Sequence, residues 1–208
     1  FMIDNRVKQY ICVRANMDNK IIPIDYMQTL LYYQNLAEEN GYQLYFKHTS
    51  FLKDENMNCN ATFFNFPIIA TPEWAYQLIW KNPMIEQVFL ETLGHEISHK
   101  IKNLNGFPFS KTGTFYAYIN EIHCDFYASV MFFHSKRQPL INALSYKYKR
   151  NPQDKRTYSH PSFGLRLKAV TDYNFTETLI RFIAKETGYK NEEKIKYAIS
   201  YFPEIILH

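Results

Sequence analysis

Apolar and polar positions follow two different rhythms along this chain of 208 residues. In the first third the apolar runs are short and loosely alternating, as in strands. Residues 7–14, Val-Lys-Gln-Tyr-Ile-Cys-Val-Arg, read as a strand, and so does the aromatic-rich run Tyr42-Gln43-Leu44-Tyr45-Phe46-Lys47. Between them residues 24–40 look helical, with Asp25 placed to cap the start and Gly41 to end the helix at C′. Residues 49–60 are polar and read as a loop. Residues 61–70, Ala-Thr-Phe-Phe-Asn-Phe-Pro-Ile-Ile-Ala, read as an extended edge strand, because Pro67 has no N–H to give to a central ladder.

Beyond residue 70 the pattern turns helical. Thr71 stands as an N-cap with Pro72 in the first turn, predicting a helix that stops near Asn82. Pro83 opens the next, running to about Asn103, with Gly106 and Pro108 marking its exit. A further helix is predicted over about 115–135, followed by a loop containing Asn151-Pro152 and His160-Pro161. Helices are then expected over 163–170, over 175–187 with Gly188 as its stop, and over 192–201. No internal repeat interrupts this order. The pattern predicts an α+β protein, mostly helical, with a small mixed sheet in its first third.

Composition narrows the class. At 46% hydrophobic and 21% charged residues, whole-chain disorder is excluded. No run reaches the roughly 18 consecutive apolar residues of a membrane-spanning helix. Cys12, Cys59 and Cys124 are far apart and form no C-x-x-C, so a reducing, cytoplasmic compartment is expected. The first six residues lack a basic segment followed by an apolar run, so no signal peptide is visible, and secretion is the alternative only if one has been removed. The net charge of +4 is spread thinly; its densest cluster, Lys147, Lys149, Arg150, Lys155 and Arg156, reads as a solvated face, and no nucleic-acid partner is expected. Seventeen Tyr and 17 Phe against 6 Gly point to a core packed with rings.

One motif carries chemistry. Gly94-His95-Glu96-Ile97-Ser98-His99 contains H-E-x-x-H. Residues i and i+4 share a helix face, so His95 and His99 can hold one zinc ion while Glu96 serves as general base for an attacking water. Phe89, Leu93 and Ile97 fall on the opposite, apolar side. A catalytic zinc needs a third protein ligand. Glu121 and Asp125 lie at i and i+4 downstream, so Glu121 can ligate and Asp125 can accept a hydrogen bond from a ligand histidine. The 22 residues from His99 to Glu121 suffice to leave one helix and return antiparallel. Cys124 is the alternative third ligand, although it suits a small apolar role, and His123 should face away from the metal. His160, held extended by Pro161, is open between an ordinary loop histidine and a donor to a developing oxyanion.

Together these pieces resemble the gluzincin metallopeptidases, in particular the HtpX-like and CAAX-prenyl-protease-like branch in soluble form. The resemblance rests on Asn60-Ala61-Thr62-Phe63 followed by Ile68-Ile69-Ala70-Thr71, on H-E-x-x-H at His95 to His99, on E-x-x-x-D at Glu121 to Asp125, and on H-P-x-x-x-x-R at His160, Pro161 and Arg166. It spans roughly residues 58–170. The short interval between H-E-x-x-H and Glu121 is also similar to that of ImmA/IrrE-type regulators and thermolysin-like enzymes, and Lit-type phage-exclusion peptidases are another possible home. The resemblance implies a zincin-like fold whose edge strand, with Asn60 and Ala61, borders the active-site cleft and takes substrate as an added strand. It implies Glu121 as third zinc ligand, Asp125 as support of a ligand histidine, His160 as stabiliser of the tetrahedral intermediate, and Arg166 as an anchor through an ion pair.

The expected organisation is an N-terminal segment 1–57 packed on or covering the catalytic domain, a catalytic core 58–170, and C-terminal helices 171–208. The expected activity is that of a zinc-dependent endopeptidase acting on a peptide or protein substrate. The alternative is a zinc-containing regulatory or phage-defence protein that cuts one specific cytoplasmic protein or only binds it.

Overall fold

The computed structural model describes Asn35 and residues 45–49, 60–64, 66–72, 83–101 and 114–208, and the chain divides into two units, 1–73 and 74–208. The strand expected over 7–14 lies outside the described residues, as does the helix over 24–40 apart from Asn35, which is helical.

In the first unit, β1 (Tyr45–Thr49), β2 (Asn60–Phe64) and β3 (Phe66–Pro72) are ordered β1-β3-β2. β1 runs parallel to β3 and β2 antiparallel to it. The single edge strand expected over 61–70 is corrected: the segment is two strands, and the one containing Pro67 is central. Pro67 is tolerated because the β1 ladder begins one residue later, at the pair Tyr45–Ile68, so only β2 flanks it, opposite Phe63. Thr71 and Pro72 pair with His48 and Thr49 at the end of β3, so both belong to a strand; the rest of the helix expected up to about Asn82 lies outside the described residues. Asn60 and Ala61 fall on β2, an edge strand of this sheet.

The second unit is built from helices: α1 (Pro83–Ile101), α2 (Thr114–Phe132), α3 (Arg137–Arg150), α4 (Phe163–Asp172), α5 (Glu177–Glu186) and α6 (Glu192–Tyr201). Its described residues contain no strand or sheet, only an isolated antiparallel bridge between Phe175 and Ile205. This corrects the expected α+β class. Among its described residues, the body holding H-E-x-x-H and E-x-x-x-D is helical and contains none of the sheet expected of a zincin-like domain.

α2 is the centre of this unit: it is buried all round, as only a helix enclosed by others is, and even its polar Glu121, His123 and Asp125 are buried. Phe115, Ile119, Ile122, Phe126 and Ala128 are buried on it. It packs against α1, α3, α4 and α5. Each large apolar side chain buried this way contributes roughly 1.5–3 kcal/mol. α5 buries one stripe, Leu179, Ile180, Ile183 and Ala184, and stops at Gly188, whose φ of 68° is the left-handed conformation glycine adopts freely.

α3 has no counterpart in the expected elements. Pro139 stands at its third position, where the missing N–H would have had no intrahelical acceptor, so the proline opens the helix instead of breaking it. Leu140, Ala143 and Leu144 then bury an i, i+3, i+4 stripe. Among the described residues no helix is long and apolar enough to cross a membrane.

Candidate metal centre

The site grows from the close approach of α1 and α2. A Cβ added to Gly94 would lie 2.8 Å from Ala128 Cβ and 2.9 Å from Ala128 Cα, so only glycine lets the helices come this near. As residue number rises along α1 the partner's number falls along α2: Gly94 meets Ala128, His95 meets Asp125, and His99 meets Glu121 and Asn120. The two helices are therefore antiparallel, and their i, i+4 pairs face each other.

Three donor atoms converge between them. His95 Nε2 and His99 Nε2 are 3.1 Å apart; Glu121 places Oε2 3.2 Å from His95 Nε2 and Oε1 3.3 Å from His99 Nε2. A tetrahedral metal at about 2.0–2.1 Å from nitrogen or oxygen keeps its donors roughly 3.3 Å apart, so the trio fits such an ion. His95 and Glu121 are buried and His99 is half-buried. Glu96 is half-buried and precedes His99 by three residues, on a neighbouring position of the helix surface.

Each histidine is held from behind. His95 Nδ1 lies 2.7 Å from Asp125 Oδ1, which leaves Nε2 directed at the centre. At His99, Nδ1 is 3.4 Å from Asn120 Nδ2 and 3.4 Å from Cys124 Sγ. Asn120 Oδ1 is buried without a hydrogen-bond partner among the described residues. Turning that amide over presents Oδ1 to His99 Nδ1–H, the arrangement that a metal on Nε2 requires. The orphaned oxygen thus also fits a metal-binding role.

Asp125 is itself gripped. Arg166 Nε donates to Oδ2 at 2.8 Å, and its Nη2 donates to Oδ1. Nη2 also reaches Glu91 Oε1 at 3.3 Å, and Lys147 Nζ donates to Glu91 Oε2. Arg166 is aimed from α4, whose start is pinned by Ser162 Oγ accepting from Leu165 N at 3.3 Å and by Asp154 Oδ2 accepting from Phe163 N at 2.8 Å. Lys147 therefore departs from the solvated face expected of the basic cluster, since it pairs with a buried carboxylate, whereas Lys149, Arg150, Lys155 and Arg156 are exposed. Glu91, His95 and Asp125 also converge, but the Arg166 guanidinium already bridges the two carboxylates there.

The carboxylates set the charge of the site. Burial and the Arg166 guanidinium push the His95 pKa down, but Asp125 and Glu121 outweigh them and raise it to about 10. Burial pushes Asp125 up, while Arg166 and His95 outweigh this and hold it at about 2. Burial likewise opposes ionisation of Glu121, yet its contacts with His95 and His99 keep it well below the usual carboxylate range. Burial, reinforced by Glu121 and Asp125, pushes the Cys124 thiol well up, so Cys124 stays neutral. It also sits behind His99 at Nδ1, apart from the converging donors.

The remaining expected residues are placed as follows. His160 is on the loop before α4, its side chain 65% exposed, with Nε2 3.8 Å from Glu121 Oε1 and Nδ1 2.8 Å from Ser159 Oγ. His123 faces away from the centre, with ring centroids 4.8 Å from Phe175 and 5.1 Å from Phe202. The side chains of Phe89, Leu93 and Ile97 lie outside the described residues, as does Cys59. Asn60 and Ala61 belong to the first unit, and the donors all come from the second. Glu91, Asn120 and Lys147 join the site without being expected from the sequence. Glu91 carries a readable signal, a carboxylate one turn before His95 on the same helix face. Lys147 carries none, because its partner depends on how α3 packs.

No protein-family model, curated protein or solved structure matches this chain.

Proposed function

We propose that this protein is a zinc-dependent endopeptidase of the gluzincin kind, in which His95, His99 and Glu121 hold one zinc ion and Glu96 is the general base. The observation that supports it best is the convergence of two imidazole nitrogens and a carboxylate within 3.1–3.3 Å on two antiparallel helices. When bound there, zinc supplies Lewis acidity, lowering the pKa of water toward neutrality and polarising a carbonyl.

The chain's own groups do the rest. A Glu96 carboxylate oxygen takes a proton from the attacking water and passes it to the leaving amine, so one water is added across the C–N bond. His160 Nε2, at the exposed edge of the site, donates to the carbonyl oxygen as it gains charge. Asp125 and Asn120 hold the two histidines with Nδ1 protonated and Nε2 directed inward. We further propose a cytoplasmic setting, on the buried free thiol of Cys124.

The test is a titration of metal-free protein with zinc, followed by incubation with an unfolded protein substrate. One zinc per chain and cleavage that E96Q abolishes would support the reading. One zinc per chain without cleavage of any protein in a whole-proteome digest would leave only a binding role.

A further inference from the structure

We infer that Glu91 is a positioning residue for the metal centre, acting through Arg166 and Asp125 on His95; the inference rests on the zinc-site reading proposed above. Glu91 is buried one turn before His95 on α1 and touches none of the three converging donors directly. Its two oxygens are taken by two cations from two other helices, Oε1 by Arg166 of α4 at 3.3 Å and Oε2 by Lys147 of α3. The same Arg166 nitrogen that reaches Glu91 also donates to Asp125 Oδ1, the oxygen that receives His95 Nδ1 at 2.7 Å. An unbroken run of charged contacts thus leads from Lys147 through Glu91, Arg166 and Asp125 to His95.

Asp125 binds Arg166 through two nitrogens, but that grip alone lets guanidinium and carboxylate swing together about the Asp125 side chain. Glu91 supplies a second anchor point on Nη2, and Lys147 keeps the Glu91 carboxylate from swinging toward Arg166. Both cations also lie against the Phe163 ring, the Arg166 guanidinium 5.2 Å and Lys147 Nζ 5.8 Å from its centroid. Supporting partners of metal-ligating histidines commonly change metal affinity 10–100-fold when removed. A buried carboxylate that merely tied three helices together would instead affect stability and leave affinity alone.

E91Q keeps the size of the side chain and removes its charge. The zinc dissociation constant, measured by competition with a chelator on folded protein, should weaken about 10–100-fold. In metal-free protein the NMR signal of the His95 Nδ1 proton should move or broaden. E91D, which keeps the charge and shortens the reach, should fall between wild type and E91Q, and it decides the matter should E91Q not fold. A lower melting temperature with zinc affinity within about twofold of wild type, in whichever variant folds, would overturn the inference and leave Glu91 a structural residue. If the wild-type protein binds no zinc, the proposed function fails on its own account. The Glu91 inference then stands or falls on the His95 proton signal alone.

Discussion

His95 and Asp125 meet through a single contact, Nδ1 to Oδ1 at 2.7 Å, and that contact joins the H-E-x-x-H helix to the E-x-x-x-D helix. It fixes which imidazole nitrogen faces the centre. It also places a carboxylate where Arg166 can hold it with two nitrogens. D125N should weaken zinc binding about 10–100-fold, because the amide is a poorer acceptor for His95. It also leaves the buried Arg166 short of a countercharge, so metal-free protein should lose roughly 3–5 kcal/mol in a denaturant titration. Unchanged values for both would show that this contact orients nothing.

The relation between the two motifs is legible in the sequence itself. H-E-x-x-H and E-x-x-x-D are both i, i+4 pairs, and helical periodicity alone puts His95 with His99, and Glu121 with Asp125, on single faces. That these faces meet depends on Gly94 lying against Ala128, a packing fact that spacing does not encode. The fold class is not legible in the same way, because strand-like runs and motif-bearing helices lie in different units, whereas the expected catalytic core over 58–170 places them in one body. α3 is hidden because Pro139 and the polar stretch before it resemble a loop; a proline in the first turn is nonetheless compatible with a helix start. Without α3, nothing in the sequence connects Lys147 to Glu91.

G94A measures the helix approach directly. Alanine in place of glycine adds about 0.8–1 kcal/mol of helix propensity. The new methyl group would lie 2.9 Å from the Ala128 backbone, which cannot rotate away. Overpacking of this kind costs about 1–3 kcal/mol and should win, lowering the melting temperature and, by pushing His95 away from Asp125, weakening zinc binding. A stabilised variant with unchanged zinc affinity would mean that the helices have room to spare.

E96Q should keep the fold and the zinc content of the wild type while losing nearly all turnover. The amide cannot take the proton from water, and the helix is barely altered. Peptidase activity near wild type would remove Glu96 from the reaction.

H160A should lower turnover by roughly two to three orders of magnitude, as loss of one oxyanion donor does. Zinc content should be unchanged. The side chain is 65% exposed, so stability should move by no more than about 0.5 kcal/mol. Turnover and melting temperature measured on the same preparation separate this from a loop histidine. Intact turnover would leave His160 with no part in the chemistry.

The central claim, one zinc held by His95, His99 and Glu121, is tested most directly by zinc X-ray absorption on stoichiometrically loaded protein, compared between wild type and E121A. The account predicts one zinc per chain in the wild type, with two histidine nitrogens and at least one oxygen at about 2.0–2.2 Å. E121A should lose one protein oxygen from that shell and bind zinc far more weakly. Sulfur in the shell, or full zinc occupancy with an unaltered spectrum in E121A, would contradict it.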